Sequence, residues 1–142
     1  YLGGIMAAFS NYLEDQIIGW AFSGATFATL PTAGTVWVSL HTADPSETGA
    51  SEVTGGNYAR ISVAAAGWTK TTAGTASATN TAEIVYPASG TVTWSGTVTH
   101  VGIWNASSAG NFLFGGALTT SRVVASGDVF KFLASNLTIS VT

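Results

Sequence analysis

The chain has 142 residues, of which 46% are apolar and only 8% are charged, and its net charge at pH 7 is −3. This length suffices for one domain with a hydrophobic core, and so apolar a composition excludes a disordered chain. A typical soluble domain is about 25% charged, so we expect much of this surface to be covered by further copies of the chain or by other proteins.

The four basic residues are scattered along the sequence, and seven acidic residues outnumber them. This pattern lacks the clustered positive charge that follows a phosphate backbone, so we expect no nucleic-acid partner. The absence of cysteine excludes disulfides and thiolate metal sites. The longest apolar runs, such as residues 17–22, are too short to span a membrane, so we expect no membrane partner either.

One segment near the N-terminus predicts a helix at about residues 10–22. Apolar residues recur there at helical spacing, at Phe9, Leu13, Ile17 and Trp20. Asn11 with Glu14 resembles a capping box, Ser10 is an equally good N-cap, and Ser23-Gly24 ends the segment. A second apolar face consists of Tyr12, Ile18 and Phe22. We therefore expect the helix to contact both its own domain and a neighbour. Met6 is typical of a natural start, which suggests that residues 1–5 are read from an upstream start.

After Pro31 the sequence alternates between apolar and polar residues, as in strands. It predicts strands at 35–42, 58–65, 81–86, 91–95, 97–104, 112–119, 129–134 and 137–142, with residues 64–82 as a long hairpin or excursion. Many short strands with turn residues between them, and one helix, predict a mainly β fold. We expect an antiparallel β-sandwich or jelly-roll-like domain with one N-terminal α-helix, spanning residues 1–142 as a single domain.

The loop that follows the first of these strands is rich in polar residues. The alternation places His41 on the odd-numbered face with Trp37 and Ser39, pointing away from the core. A metal-binding hypothesis would use His41, Asp44, Glu47 and Glu52. The ligand spacing of a calcium loop is absent, and the second histidine that a zinc site needs, His100, is distant in sequence. We therefore interpret the loop as a connection between strands.

The sequence contains no motif that specifically supports any of three enzymatic or binding hypotheses. His100 could join Asp128 and a serine in a triad, but no nucleophile-elbow motif is present. A glycosidase pair could come from the carboxylates of Glu14, Asp15, Glu47, Glu52 and Glu83. Five tryptophans could line a sugar groove, although tryptophans are more often core or interface anchors. We therefore predict no catalytic, cofactor-binding or metal-binding residues, no cofactor and no enzymatic activity.

Several segments carry a resemblance to a known family: MAAFSNYLEDQII at 6–18, TADPSETGASEVTGGNYAR at 42–60, GTVTHVGIWNASSAGNFLFGGALTTSRVVASGDVFKF at 96–132 and LTISV at 137–141. Together they resemble a family of small tailed-phage proteins, usually described as tail-fibre or virion structural proteins. The resemblance covers nearly the whole chain from Met6, and its patterns THVGIWNA and GNFLFGGALTTS are fairly specific. It implies a structural protein of the virion and offers no catalytic residues.

Glycines within these motifs predict features of shape. Gly110-Asn111 suits a hairpin turn that needs a left-handed residue. Gly115-Gly116 inside an apolar strand suits a bulge or a close backbone approach. Gly127-Asp128 suits another tight turn.

Two positions on the virion compete. The favoured hypothesis is a capsid decoration or cement protein, a homo-oligomer and preferably a trimer, bound to the major capsid protein, because this sequence lacks the long repetitive shaft of a fibre. The alternative is a tail or tail-fibre component next to a neighbouring tail protein at the host-binding end. A third and less favoured hypothesis is a carbohydrate-binding or cell-wall-degrading protein.

Overall fold

A computed structural model of the chain describes residues 3–6, 8–27 and 34–141, with side chains described for residues 9–27 and 34–141. Its regular elements are β1 (Gly3–Met6), β2 (Ala8–Phe9), α1 (Asn11–Ser23), β3 (Val36–His41), β4 (Ile61–Val63), β5 (Trp68–Thr71), β6 (Ala76–Asn80), β7 (Ile84–Tyr86), β8 (Gly96–Trp104), β9 (Phe112–Val124), β10 (Phe130–Phe132) and β11 (Leu137–Val141). Residues 1–2 of the predicted upstream start, the predicted change of pattern at Pro31 and the end of the predicted last strand at Thr142 lie outside the described residues.

The described strands form two large sheets and one small one. The five-stranded sheet has the order β2-β9-β8-β3-β4, with every neighbouring pair antiparallel. The four-stranded sheet has the order β1-β11-β6-β5, in which β1 and β11 are parallel and the other pairs antiparallel. Strands β7 and β10 form an antiparallel pair. This architecture confirms the predicted fold class, a mainly β protein with antiparallel sheets and one helix, while the single-domain span of residues 1–142 stays a prediction.

The predicted strands differ from the structure at several places, and strands β1 and β2 were not predicted. Residues 91–95 form no strand, because Val92 instead exchanges backbone hydrogen bonds with Gly127 and Asp128 in the turn after β9. Three predicted strands are shorter than expected: 58–65 is only Ile61–Val63, 81–86 is only Ile84–Tyr86 and 129–134 is only Phe130–Phe132. Strand β9 continues past residue 119 to Val124, because Gly96–Val98 at the start of β8 keep pairing with Arg122–Val124. The hairpin predicted within 64–82 is confirmed as β5 and β6.

One hydrophobic core joins the three sheets. It contains buried residues from both large sheets and from the β7–β10 pair, among them Val38, Val101, Phe132, Leu137 and Ile139. Tyr86 is fully buried in this core, and its hydroxyl donates a 2.7 Å hydrogen bond to the carbonyl of Val38. The backbone of β3 is therefore tied to β7 through a side chain that belongs to the core.

Helix α1 is seated on the sheet only by its first half. Ser10 is the N-cap, so the predicted Asn11 capping box is wrong and the alternative cap is correct. Leu13 is buried and Ile17 packs against the core, whereas Trp20, predicted to continue the same stripe, is 58% exposed. The helix ends as predicted, with Gly24 in the left-handed conformation. In the described ranges, no helix has the length and apolar character needed to cross a membrane.

The N-cap also anchors the helix to β9. The Ser10 hydroxyl accepts a 3.2 Å hydrogen bond from the amide of Leu13 and donates a 2.5 Å hydrogen bond to the carbonyl of Phe112. The Ser10 amide donates to the carbonyl of Leu113 at 3.1 Å. A single buried serine therefore both starts the helix and fixes its origin on the sheet.

We expect Ser10→Ala to lower the free energy of unfolding by about 1–2 kcal/mol, because it removes the cap and leaves the buried Phe112 carbonyl without its partner. Ser23→Ala, at the exposed end of the same helix, is the matched control and should change stability by no more than about 0.5 kcal/mol. Urea denaturation at one fixed protein concentration measures both. Equal effects of the two substitutions would contradict the anchoring role of Ser10.

Candidate functional site

Strand β3 is buried on both faces at its C-terminal end. Ser39 and His41 are fully buried, as are Val38 and Leu40 on the opposite face. His41 lies, as predicted, on the face opposite the core residues Val38 and Leu40, but this face is buried as well, and Trp37 on it is half-buried. The reason lies in residues 42–53, which fold back along the strand. In this return, the Val53 amide donates to the carbonyl of Leu40.

A chain of hydrogen bonds satisfies the polar atoms beneath this loop. The indole N–H of Trp104 donates to Ser39 Oγ at 2.9 Å, Ser39 Oγ lies 2.7 Å from His41 Nε2, and His41 Nδ1 lies 2.7 Å from the carbonyl of Ala50. A carbonyl can only accept, so His41 Nδ1 carries the proton and Nε2 accepts from the Ser39 hydroxyl. Burial lowers the pKa of His41, which the Ala50 carbonyl opposes only in part. The imidazole is therefore neutral at physiological pH.

A serine and a histidine at hydrogen-bonding distance resemble a nucleophile and its base. Here the pair is closed on every described side. A Cβ added at Gly102 would lie 2.6 Å from both His41 Nε2 and Ser39 Oγ, so the facing strand leaves no room even for a methyl group. A Cβ at Gly115 would lie 2.7 Å from Pro45 Cγ, which confirms the close approach predicted there. The geometry gives this pair a packing role.

Arg60 organises a second cluster, which sequence reasoning missed. Its guanidinium donates to both carboxylate oxygens of Glu52, with Nη2 2.7 Å from Oε2, and to the carbonyls of Ala106 and Ala109. Its Cζ atom also lies 3.6 Å from the ring centroid of Trp104, a cation–π contact. The Arg60 side chain is 8% exposed. The sequence shows only an isolated basic residue, because its partners lie up to 49 positions away.

Tyr58 links this cluster to β3. Its hydroxyl donates to Glu52 Oε1 at 3.0 Å and accepts from the amide of Leu40 at 2.9 Å. Burial, with the nearby Glu52 carboxylate, raises the pKa of Tyr58 well above its usual value. Tyr58 therefore stays a neutral donor at any physiological pH. The segment between His41 and Arg60 is thus held by its own polar residues, and Glu52 is already engaged by two of them.

The other predicted metal ligands and carboxylates are dispersed. Asp44 Oδ1 accepts from the Ser46 amide as in an Asx turn, and Glu83 pairs with Lys131 at 3.1 Å. All five of these carboxylates are exposed: Glu14, Asp15, Asp44, Glu47 and Glu83. The structure does bring His41 and His100 opposite each other, in the pairing of β3 with β8. Within the described residues no group of three or more histidine, aspartate or glutamate side chains could hold a metal ion. The absence of a metal site stays a prediction.

The residues of the proposed triad also have separate contacts. His100 Nδ1 lies 2.8 Å from Thr99 Oγ1, whereas Asp128 Oδ2 accepts from the amide of Ala125 and closes the predicted turn at Gly127. The predicted hairpin turn is likewise confirmed by Gly110, whose φ is 73°. The five tryptophans share no groove: Trp94 and Trp104 are buried, Trp37 and Trp68 are half-buried and Trp20 is exposed.

Two apolar surfaces remain open to solvent, and they form the candidate site for binding. The first, which we name the apolar ridge, lies on the second half of α1 and consists of Ile18 and Phe22, which share one face of the helix and are 57% and 81% exposed. Trp20, 58% exposed, lies on the opposite face, and its ring is 5.9 Å from that of Phe27. The second, the apolar groove, has a volume of about 480 Å³ and opens between the two large sheets. Its apolar lining includes Val36, Trp68, Ala78, Ile103, Phe114 and Ile139. Isolated apolar side chains are common on surfaces, but a contiguous ridge or groove usually marks a binding region.

A smaller cavity of about 370 Å³ lies elsewhere, beside the turn between β9 and β10. It combines the exposed apolar side chains of Val123, Val129 and Leu133 with charged residues such as Lys131. Its mixed lining distinguishes it from the apolar groove.

The buried His41 predicts a pH dependence of stability. Because its pKa in the folded state is lowered from 6.5, the unfolded chain binds a proton first as pH falls. The free energy of unfolding is therefore independent of His41 protonation above about pH 6.5. Below that pH, His41 lowers the free energy of unfolding by at most about 1.4 kcal/mol per pH unit. His41→Gln should flatten the slope, measured by urea denaturation between pH 7.5 and 5. His100→Gln is the control, and a wild-type slope in both variants would contradict the assignment.

The ion pairs Arg60–Glu52 and Lys131–Glu83 predict unequal effects on stability. Arg60→Ala leaves Glu52 buried without its cation, and we expect it to lower the free energy of unfolding by about 3 kcal/mol. Lys131→Ala is a matched control, since Lys131 and Glu83 are each 45% exposed. It should cost less than about 1 kcal/mol. Equal shifts in the urea midpoint of the two variants would show that Arg60 is not a structural hub.

A comparison with protein families identifies the chain. A family model described as "Podophage GP4 fiber I protein gp80" matches residues 8–140, which extends from β2 to nearly the end of β11. No curated protein matches the chain. The matched span contains both hydrogen-bonded clusters, the apolar ridge and nearly all of the apolar groove. The chain therefore belongs to the family of the podophage GP4 fiber I protein gp80 and is a structural protein of a phage virion.

Proposed function

We propose that this protein is a component of a phage tail fibre, the alternative to a capsid decoration protein. The observation that carries the proposal is the family match over residues 8–140, since the family takes its description from a fibre protein of a podophage. The capsid decoration hypothesis rested on the lack of a repetitive shaft, which is an indirect argument. A family membership that covers nearly the whole chain outweighs it.

The distribution of surface properties supports a role in assembly. The ridge and the groove together expose apolar surface that a free monomer would leave in contact with water. Only 8% of residues are charged, so few charges would have to be desolvated when such surfaces meet another protein. We therefore propose that the chain works as a homo-oligomer, with a trimer favoured, next to a neighbouring tail protein.

We also propose that the protein acts by binding and not by catalysis. The support is local: the Ser39–His41 pair is buried beneath residues 42–53, and the Glu52 carboxylate is held by Arg60 and Tyr58. Neither arrangement offers a reactive group to a dissolved substrate. Sustained hydrolysis of host-surface polysaccharide by the purified protein, lost in a folded His100→Ala variant, would contradict this part of the proposal.

Immunogold electron microscopy of intact virions tests the location. Antibodies against this chain should label the tail end, and quantitative staining should give a handful to tens of copies per virion, because tail symmetry sets the number. An antibody against the major capsid protein provides the control for shell labelling. Label spread over the shell, with a copy number close to that of the capsid protein, would overturn the fibre proposal and restore the decoration hypothesis.

A further inference from the structure

We propose that the apolar groove is a binding site for a free, single-chain anionic amphiphile of the fatty-acid type. The hydrocarbon chain of the ligand lies between the two large sheets, and its anionic head group lies beside Lys70. This inference goes beyond the proposed function, because it concerns a small-molecule site that neither a fibre position nor a capsid position requires. Occupancy of the groove leaves the apolar ridge open for contact with a neighbouring protein.

The size of the groove fits a small molecule. Its volume of about 480 Å³ lies within the range of roughly 300–1,000 Å³ that is typical of small-molecule pockets. A standard protein–protein interface uses about 20–30 residues on each side, whereas eleven residues line this groove. The groove therefore suits a small ligand better than the surface of another protein.

Both walls of the groove are apolar, because each large sheet turns one face towards it. Ala78 in β6 is paired with Lys70 in β5 and with Ile139 in β11, so these three side chains lie on the face that lines the groove. The opposite face of the same strands carries hydroxyl groups, for example in the paired row of Thr69, Thr79 and Thr138. The five-stranded sheet supplies the second wall with Val36, Ile103 and Phe114. A hydrocarbon chain in the groove therefore meets apolar side chains on both sides.

The charge at the groove selects the class of head group. Lys70 is exposed and is the only charged residue that lines the groove. Among the described residues, the ion pairs use Arg60 and Lys131 as cations and do not involve Lys70. An ammonium group without a counter-ion beside an apolar groove attracts an anionic head group and repels a cationic one. An apolar tail joined to an anionic head is the chemistry of a fatty acid.

Trp68 supplies a second indication that the ligand contains oxygen. This residue lines the groove, and side chains two positions apart in a strand share a face, so Trp68 and Lys70 lie along the same wall. The indole N–H of Trp68 is buried and has no hydrogen-bond partner among the described residues. Buried donors are normally paired. A groove-lining side chain with an unmatched donor favours a ligand that carries oxygen atoms over a pure hydrocarbon.

Isothermal titration calorimetry of the 142-residue chain with sodium decanoate and sodium dodecanoate tests the site. Both ligands are used below their critical micelle concentrations. We expect the affinity to rise by up to about fourfold for each added methylene, because the groove removes the hydrocarbon chain from water. Dodecyltrimethylammonium has the same chain length with the opposite charge, and it should bind more weakly than dodecanoate.

Substitutions on the two faces of the four-stranded sheet locate the hydrocarbon chain. Ala78→Phe fills the groove and should abolish the binding of dodecanoate. Ala76→Phe, at an exposed position of the same lining, should do the same and serves if Ala78→Phe does not fold. Thr69→Phe is the matched control, because it adds a ring to the opposite face of β5 and should leave the affinity unchanged. Circular dichroism checks that each variant is folded.

A second pair of variants locates the head group. Lys70→Gln should lower the affinity for dodecanoate by up to about fivefold, which is the contribution of an exposed ion pair, and should not weaken the binding of dodecyltrimethylammonium. Lys131→Gln is the charge control, since Lys131 lies beside the smaller cavity and not in the groove. It should bind dodecanoate as the wild type does.

Four results would overturn the inference. The first is the absence of binding heat with dodecanoate, together with unchanged tryptophan fluorescence. The second is undiminished binding in folded Ala78→Phe and Ala76→Phe. The third is equal affinity for dodecanoate and dodecyltrimethylammonium, or a loss of binding in Lys131→Gln and not in Lys70→Gln. The fourth is binding to phosphatidylglycerol vesicles without binding of dodecanoate, which would identify a membrane surface as the ligand. All four are independent of immunogold labelling, so the ligand site and the fibre location can fail separately.

Discussion

The structure depends on the burial of β3 from both sides. One face of this strand lies in the main core, and the other is covered by residues 42–53, which return along it. Burying a second face that carries a serine and a histidine is tolerable only because every polar atom there has a partner. The chain from Trp104 through Ser39 and His41 to Ala50 supplies those partners. It ties strands β3 and β8 to the covering loop without a single charge.

The burial of β3 on both faces explains why glycines occupy the neighbouring positions of β8 and β9. Gly102 lies opposite Ser39 in β8, and Gly115 lies opposite Gly102 in β9, so the layer that faces the covering loop is lined by residues without side chains. The room they leave is filled by the His41 and Phe112 rings and by Pro45, which the covering loop contributes. Gly102 and Gly115 are therefore required for close packing.

Arg60 likewise ties the covering loop to the rest of the structure, at the edge of the layer above β3. It is the one cation of the described chain that is largely buried, and it connects the covering loop, through Glu52, with the hairpin turn after β8. The second half of α1 differs, because Ile18 and Phe22 are 57% and 81% exposed and Trp20, 58% exposed, keeps a ring contact with Phe27. The molecule thus combines a hydrogen-bonded network around β3 with exposed apolar side chains on α1, while the buried indole N–H groups of Trp68 and Trp94 have no hydrogen-bond partner among the described residues. That division is what one expects of a part made to assemble into a larger particle.

The architecture is largely readable from the sequence. Alternating apolar residues predicted most strands to within a few positions, and the turns at Gly110 and Gly127 follow from local backbone requirements that glycine alone meets easily. The helix boundaries were equally accessible, since caps are local features. Strand β9 was underestimated because its last residues are exposed and polar, and are held in the sheet by β8. The segment at 91–95 has the alternating pattern of a strand, but its Val92 forms backbone hydrogen bonds with the turn after β9 and not with another strand.

By itself, the sequence determined the fold class, the single helix and the membership of a phage virion family, because these follow from periodicity and from motifs that are local in the chain. Only the tertiary structure decided that His41 is buried, that Arg60 is a hub and that Trp20 is exposed. Alternation along one strand describes two faces but cannot tell whether a distant loop covers the second. Two of the four partners of Arg60 are backbone carbonyls, which every residue possesses and which therefore leave no trace in the sequence. How far a helix stays in contact with its sheet depends on where the sheet ends, which is a property of the assembled strands.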